Sequence, residues 1–200
     1  MKKLILKTAL ITLLCIVVVV GAIFGFLVWL SPKTLASVFD KLGNYAFSVS
    51  MYEREYNNTK NLSDLSVLVI KLNQNIDGEK TEKYSLLMIT DVNYIDYVKT
   101  TGKVEFYTEL SAHEYYYGKA VSSMMQNDKF EDAIFYADKF VDEFGYSEHN
   151  PYRIIISSEL NSLSISEKLE ISQNLQSYIS SATSEELVRI NKDASLLTNS

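Results

Sequence analysis

The chain has 200 residues, a net charge of −6, one cysteine and an ordinary share of hydrophobic residues, so it has room for one sizeable core and no compositional reason to be disordered. Lys2, Lys3 and Lys7 are the three basic residues ahead of the apolar stretch. Setting them aside from the 19 basic residues leaves 16 against 25 acidic, a charge of −9 on the remainder. Such a surface repels phosphate backbones, and no basic stripe is present, which excludes nucleic acid as the expected partner. Cys15, within the apolar run, is the only cysteine. The polar part of the chain therefore has no disulfide, thiolate metal site or cysteine nucleophile. Lysine far outnumbers arginine and Asn, Ile and Tyr are abundant, the composition of an AT-rich, bacterial coding genome.

The first predicted element is a membrane helix over residues 8–32. No charged residue occurs from Thr8 to Pro32. At 1.5 Å per residue its roughly 23 helical residues span about 35 Å, enough for a hydrocarbon core of about 30 Å. Trp29 stands near the far end, where indole rings favour the interface, and the lysines before the run orient residues 1–7 to the cytoplasm and residues 33–200 outward. A cleaved signal peptide would have a shorter apolar region ending in small residues, whereas this run ends in Phe24, Phe26, Leu27, Val28, Trp29 and Leu30. Cleavage near Gly21-Ala22 is the alternative. A lipoprotein reading of Cys15 is excluded by Leu13-Leu14, where a small residue is needed. Gly21 and Gly25 form a G-x-x-x-G step that would let two such helices meet as a homodimer.

Beyond Pro32 the prolines and glycines are too few for a strand-rich domain, and helical periodicity dominates. Ser31-Pro32 reads as an N-cap and first turn of a helix running through Leu35, Phe39, Leu42, Ala46 and Val49 towards Tyr56. After the polar break at Asn57–Asn61, Leu62, Leu65, Leu68, Val69 and Leu72 mark a second helix. Asp77-Gly78 ends that unit. A third helix covers about Glu79 to Thr90 and a short fourth contains Tyr94, Tyr97 and Val98, before a break at Gly102. The clearest pair follows. Phe106, Leu110, His113, Tyr117, Ala120 and Met124 share one face. Phe130, Ile134, Ala137, Val141 and Phe144 share another, which Ala133 and Phe140 widen, so this helix is expected to be buried on two sides. Asp128 with Glu131, Ser164 with Glu167 and Thr183 with Glu186 are capping-box signatures, and Gly145 is a stop.

These antiparallel hairpins predict an all-α fold, stacked as a solenoid or as an irregular bundle. Over Tyr117 to Phe144 the sequence resembles a tetratricopeptide repeat. Tyr117, Ala120 and Met124 occupy first-helix packing positions, and Phe130-Glu131-Asp132-Ala133-Ile134 resembles the opening of the second helix, continued by Ala137-Asp138-Lys139-Phe140. Val121 and Phe140 stand where the family places small residues, and the turn Asn127-Asp128 lacks glycine. A fainter copy aligns Leu62-Ser63-Asp64-Leu65 with Phe130-Glu131-Asp132-Ala133. The resemblance implies binding of a protein or peptide on a concave helical surface; it implies no particular partner, cofactor or catalysis, and neither of the last two is expected.

Chemical motifs are incomplete. His113-Glu114 opens an H-E-x-x-H pattern, but Tyr117 stands at the second histidine position, so His113 is expected to be a partly buried packing residue. Asn73 to Gly78 mimics half of a calcium loop whose twelfth position is Tyr84, and reads as a helix end and turn. His149 lies in a polar loop, and no G-x-S-x-G elbow or phosphate loop occurs. Tyr115 and Tyr116 flank the inward Tyr117. They are candidate partner-binding residues if they face outward, and inter-helix packing residues if they do not. The expected protein is thus a membrane-anchored interaction module. A ligand-binding sensor domain and an envelope-polymer hydrolase are the alternatives.

Overall fold

A computed structural model describes residues 2–73, 77–104, 110–159 and 162–198. Among them the chain is all-α. Eleven helices follow in order: α1 (Lys2–Leu30), α2 (Pro32–Lys41), α3 (Tyr45–Thr59), α4 (Leu62–Leu72), α5 (Gly78–Ile89), α6 (Tyr94–Thr101), α7 (Ala112–Gln126), α8 (Phe130–Phe144), α9 (Pro151–Glu159), α10 (Ile165–Tyr178) and α11 (Ser184–Thr198). The one extended pairing among these residues is an isolated bridge between Lys103 and Ser111. Two compact units result, Met1–Asn75 and Ile76–Ser200, so the stretch expected as a single domain over 33–200 draws on both.

In the first unit, Lys7–Leu30 is long and apolar enough to cross a membrane, and its window is not buried within the protein. Among the described residues outside the helix's own backbone, nothing lies within 4 Å of a Cβ built at Gly21 or Gly25. The single helix expected from Pro32 to Tyr56 is two. The turn Leu42-Gly43-Asn44 breaks it because Gly43 takes φ +75°, a left-handed conformation that glycine adopts without steric cost. Asn44 then caps α3 by accepting from the Phe47 amide at 3.2 Å. In consequence Leu42, expected on the inner stripe, is 72% exposed. Two ion pairs hold α2 to α4. Lys33 Nζ lies 2.8 Å from Asp64, and Lys71 Nζ lies 2.5 Å from Asp40. The hydrogen bond from Lys33 to Asp64 raises the lysine pKa against the opposing effect of burial. Each partner is displaced by 31 residues in the same sense, so α2 and α4 run parallel while α3 returns between them. The core of this unit contains Ala36, Val49, Leu65, Leu68, Val69 and Leu72.

In the second unit, α7 is the central element and packs against α5, α8 and α9, while α11 packs against α9 and α10. Packing runs from α7 to α9 to α11, while α5 lies antiparallel to α7: Glu82 near its start accepts from Asn127 just past the end of α7 and pairs with Lys129. The small residues Ala120, Ala133 and Ala137 are fully buried, as is Phe140, so α8 is covered on two sides as its widened stripe implies. The start of α8 departs from expectation. Asp128 takes φ 57°, Lys129 occupies the cap position, and no side chain caps the helix, so Asp128 and Glu131 form no capping box. The boxes at Ser164–Glu167 and Thr183–Glu186 do form. A further one, Ser111–Glu114, starts α7 at Ala112, later than the stripe from Phe106 suggests. Phe106 lies outside the described residues, as do 74–76 of the turn at Asn73–Gly78.

Two carboxylates tie the C-terminal helices in place. Asp138 of α8 accepts from Tyr178 Oη at 2.6 Å, from Asn174 Nδ2 at 3.3 Å and from the Tyr152 hydroxyl. Asp193 of α11, only 1% exposed, accepts from Tyr146 Oη at 2.9 Å and lies 3.4 Å from Arg153 Nε of α9.

Candidate functional site

The helices α7, α9 and α11 line an open cavity of about 500 Å³. Gly118 explains how closely two of its walls approach: a Cβ there would meet Ile154 Cδ1 at 3.0 Å. Apolar surface comes from Tyr115, Ile154, Ile156 and Leu196, and charge from both signs of side chain. Lys119 Nζ stands 5.6 Å from the centre of the Tyr115 ring, and burial lowers its pKa from the ordinary lysine value. Arg153 donates from Nη1 to the Glu148 carbonyl at 2.7 Å while its Nε faces Asp193. Burial raises the pKa of Asp193 above the usual carboxylate value, against the opposing effects of the Tyr146 hydroxyl and Arg153. Glu114 goes the other way. Burial would raise it, but bonds from the Ser111 hydroxyl and the Ser111 amide leave it lowered, and its carboxylate is fixed at the mouth of α7. Such a surface can receive a segment with an apolar side chain and a few polar groups.

Tyr115 and Tyr116, expected to face outward if they bind a partner, are 2% and 0% exposed. Both are buried because α7 is covered by helices on three sides and keeps no free aromatic face. Tyr116 packs edge-on against Tyr94 at 6.5 Å and Tyr115 at 5.3 Å. Only Tyr115 also borders the cavity. His149 is exposed at the cavity rim. His113 does not join it. Its ring stacks on Phe144 at 4.4 Å and 12° and lies 5.7 Å from Phe140, the packing role expected of it.

The Ser111, His113 and Glu114 side chains meet, but in the arrangement of a helix cap. Ser111 Oγ lies 3.2 Å from His113 Nε2 and donates to Glu114 Oε2 at 2.6 Å. In an acyl-transfer triad the carboxylate would orient the imidazole; here it holds the hydroxyl. Tyr117, at the missing histidine position, donates to Glu143 Oε2 at 3.0 Å. Among the described residues no group of three or more His, Cys, Asp or Glu side chains could hold a metal.

Burial between rings lowers the His113 pKa below its ordinary 6.5, against the opposing pull of Glu114. As pH falls below that value, the unfolded chain takes up the proton before the folded one, so stability drops until the folded pKa is reached. Above 6.5 the contribution is complete. His113→Phe, which keeps the stack, is expected to reduce the loss of melting temperature between about pH 7 and about pH 5. An unchanged loss would assign the acid sensitivity elsewhere.

Sequence reasoning missed Lys119, Arg153 and Asp193 as cavity residues. One signal was available for Asp193: it lies on the stripe Ile190, Asp193, Leu197, all buried, where an acid needs partners. Lys119 and Arg153 read as ordinary solvated charges. Comparison with family models, with curated proteins and with solved structures returns no match to this chain.

Proposed function

We propose that the protein is a single-pass membrane protein whose helical part binds a protein or peptide segment at the outer face, in the groove between α7, α9 and α11. The observation that carries this reading is the placement of the cavity on one row of alternating helices, the surface that stacked hairpins of the tetratricopeptide type leave concave. The packing order α7–α9–α11 and the parallel pair α2 and α4, linked at a 31-residue offset, support repeat-like stacking. The Lys7–Leu30 helix, uncharged from Thr8 onward and preceded by lysines, supports an anchor that leaves the N-terminus inside. Gly21 and Gly25, whose small size no packing contact among the described residues requires, support self-association of that anchor. Binding rather than catalysis is favoured because the Ser111–His113–Glu114 cluster is occupied as a cap.

A second reading has its own support. A volume of about 500 Å³ lies within the range of small-ligand pockets. A photoreactive residue placed at Ser122 or Ser157, both at the cavity, separates the two. Cross-linking in intact membranes is expected to give an adduct of protein mass from these positions and none from Asp132 on α8. Lys119→Glu is expected to cut its yield about ten-fold. An adduct of small mass would favour the ligand reading, and equal labelling from Asp132 would refute the groove.

A further inference from the structure

The membrane attachment reaches beyond α1. In the span, most apolar side chains are more than half exposed, but Phe24 and Leu27 fall to 39% and 40%. The cover over Phe24 comes from the α2–α3 hairpin. Phe24 lies 6.2 Å edge-on from Phe39 of α2 and 6.0 Å from Phe47 of α3, and those two rings are 4.3 Å apart. Phe24 is six residues before the end of α1, so it sits about 9 Å along the axis inside the apolar helix. With α1 across a bilayer, that depth lies inside the boundary between headgroups and acyl chains. A hairpin that touches Phe24 cannot stand clear of the lipid.

The rest of the hairpin tip fits that medium. Val38, Leu42 and Tyr45 are 47%, 72% and 45% exposed. From Lys41 to Tyr52 no acidic residue occurs and Lys41 is the one charged side chain. The nearest acid, Asp40, is bound by Lys71. Tyrosine and lysine beside exposed aliphatic groups are the composition that settles at the headgroup level, with the ammonium near lipid phosphates.

From this juxtaposition we infer that the α2–α3 turn is a second membrane contact, with Val38, Leu42 and Tyr45 seated in the interfacial layer of the leaflet in which α1 ends. The inference rests on the anchor reading. It makes attachment two-point: α1 alone could rotate about its axis, whereas an inserted turn fixes which way α4 faces.

The test uses full-length protein carrying Cys15→Ser and Leu42→Cys, labelled with an environment-sensitive fluorophore and reconstituted in phosphatidylcholine–phosphatidylglycerol vesicles. Leu42 is exposed, so the label disturbs no core, and circular dichroism checks the helix content. Emission is expected to shift to the blue and to be quenched by a lipid spin-labelled near the headgroup. A label at Ser63→Cys, exposed at the start of α4 and beyond the opposite end of α3, stays water-like. Water-like emission at position 42, from protein that resists carbonate extraction, would overturn the inference and leave the anchor standing. A blue shift that spin-labelled lipid does not quench would assign the turn to a protein contact, a second copy included, and also overturn it. Protein released by carbonate would remove the anchor reading and this inference together.

Discussion

Phe140→Ala is expected to lower stability by about 3–5 kcal/mol, a large part of what a domain of this size possesses. The ring is fully buried and meets Tyr117 at 5.4 Å, Phe144 at 5.4 Å and His113 at 5.7 Å. Truncation removes the transfer free energy of the ring and leaves a void that the fixed backbones of α7 and α8 cannot close. Phe135→Ala, on the same helix but 60% exposed, is expected to change stability by no more than about 0.5 kcal/mol. Urea unfolding of detergent-solubilised protein, followed by circular dichroism, measures both. Similar costs for the two substitutions would mean that α7 and α8 do not meet along this seam.

Phe140 also shows where sequence and structure agree. Its place beside Ala133 and Ala137 marks a helix buried on two sides, because apolar residues spaced by three and four identify a covered face irrespective of partner. The all-α class was legible in the same way, as were the polar break before α4, the stop at Gly145 and the caps at Ser164 and Thr183. Leu42 was not legible. Its spacing continues the stripe from Leu35 and Phe39, and only the left-handed Gly43 turns the chain and exposes it. A glycine within a periodic run is read as tolerated until the backbone is seen.

The candidate site was far less legible. Spacing alone leaves Tyr115 and Tyr116 either outward or packed between helices, and they are packed because apolar and aromatic residues surround α7 and neighbours cover three of its sides. The cavity is made by residues more than 30 positions apart, such as Lys119 and Arg153, whose convergence depends on how α7, α9 and α11 stack. Local periodicity says which face is covered and not which helix covers it. Asp193 is the exception, since an acid on a buried stripe announces a polar network even when its partners are unknown.

Asp138→Ala is the sharpest test of that stacking. The Asp138 carboxylate joins three helices, taking bonds from Tyr152 of α9 and from Asn174 and Tyr178 of α10. Burial, followed by the bond to Asp138, raises the pKa of both tyrosines, so their hydroxyls remain donors at neutral pH. Alanine leaves the buried Tyr152 hydroxyl with Asn174 and the half-buried Tyr178 hydroxyl nearer water. Each orphaned group costs about 1–3 kcal/mol, discounted for Tyr178, so a total near 3 kcal/mol is expected. Tyr178→Phe alone should cost about 1 kcal/mol. The double variant should cost less than the sum, because the two act through one contact. Hydrogen exchange should rise over residues 165–178 before it rises in α7, since α10 loses its tie to α8 and α9 while the α5–α7–α8 packing is untouched. If the groove binds a partner, Asp138→Ala should weaken that binding as well. The variant changes no cavity residue, so such a loss would mean that the groove depends on α10 and α11 being held against α9.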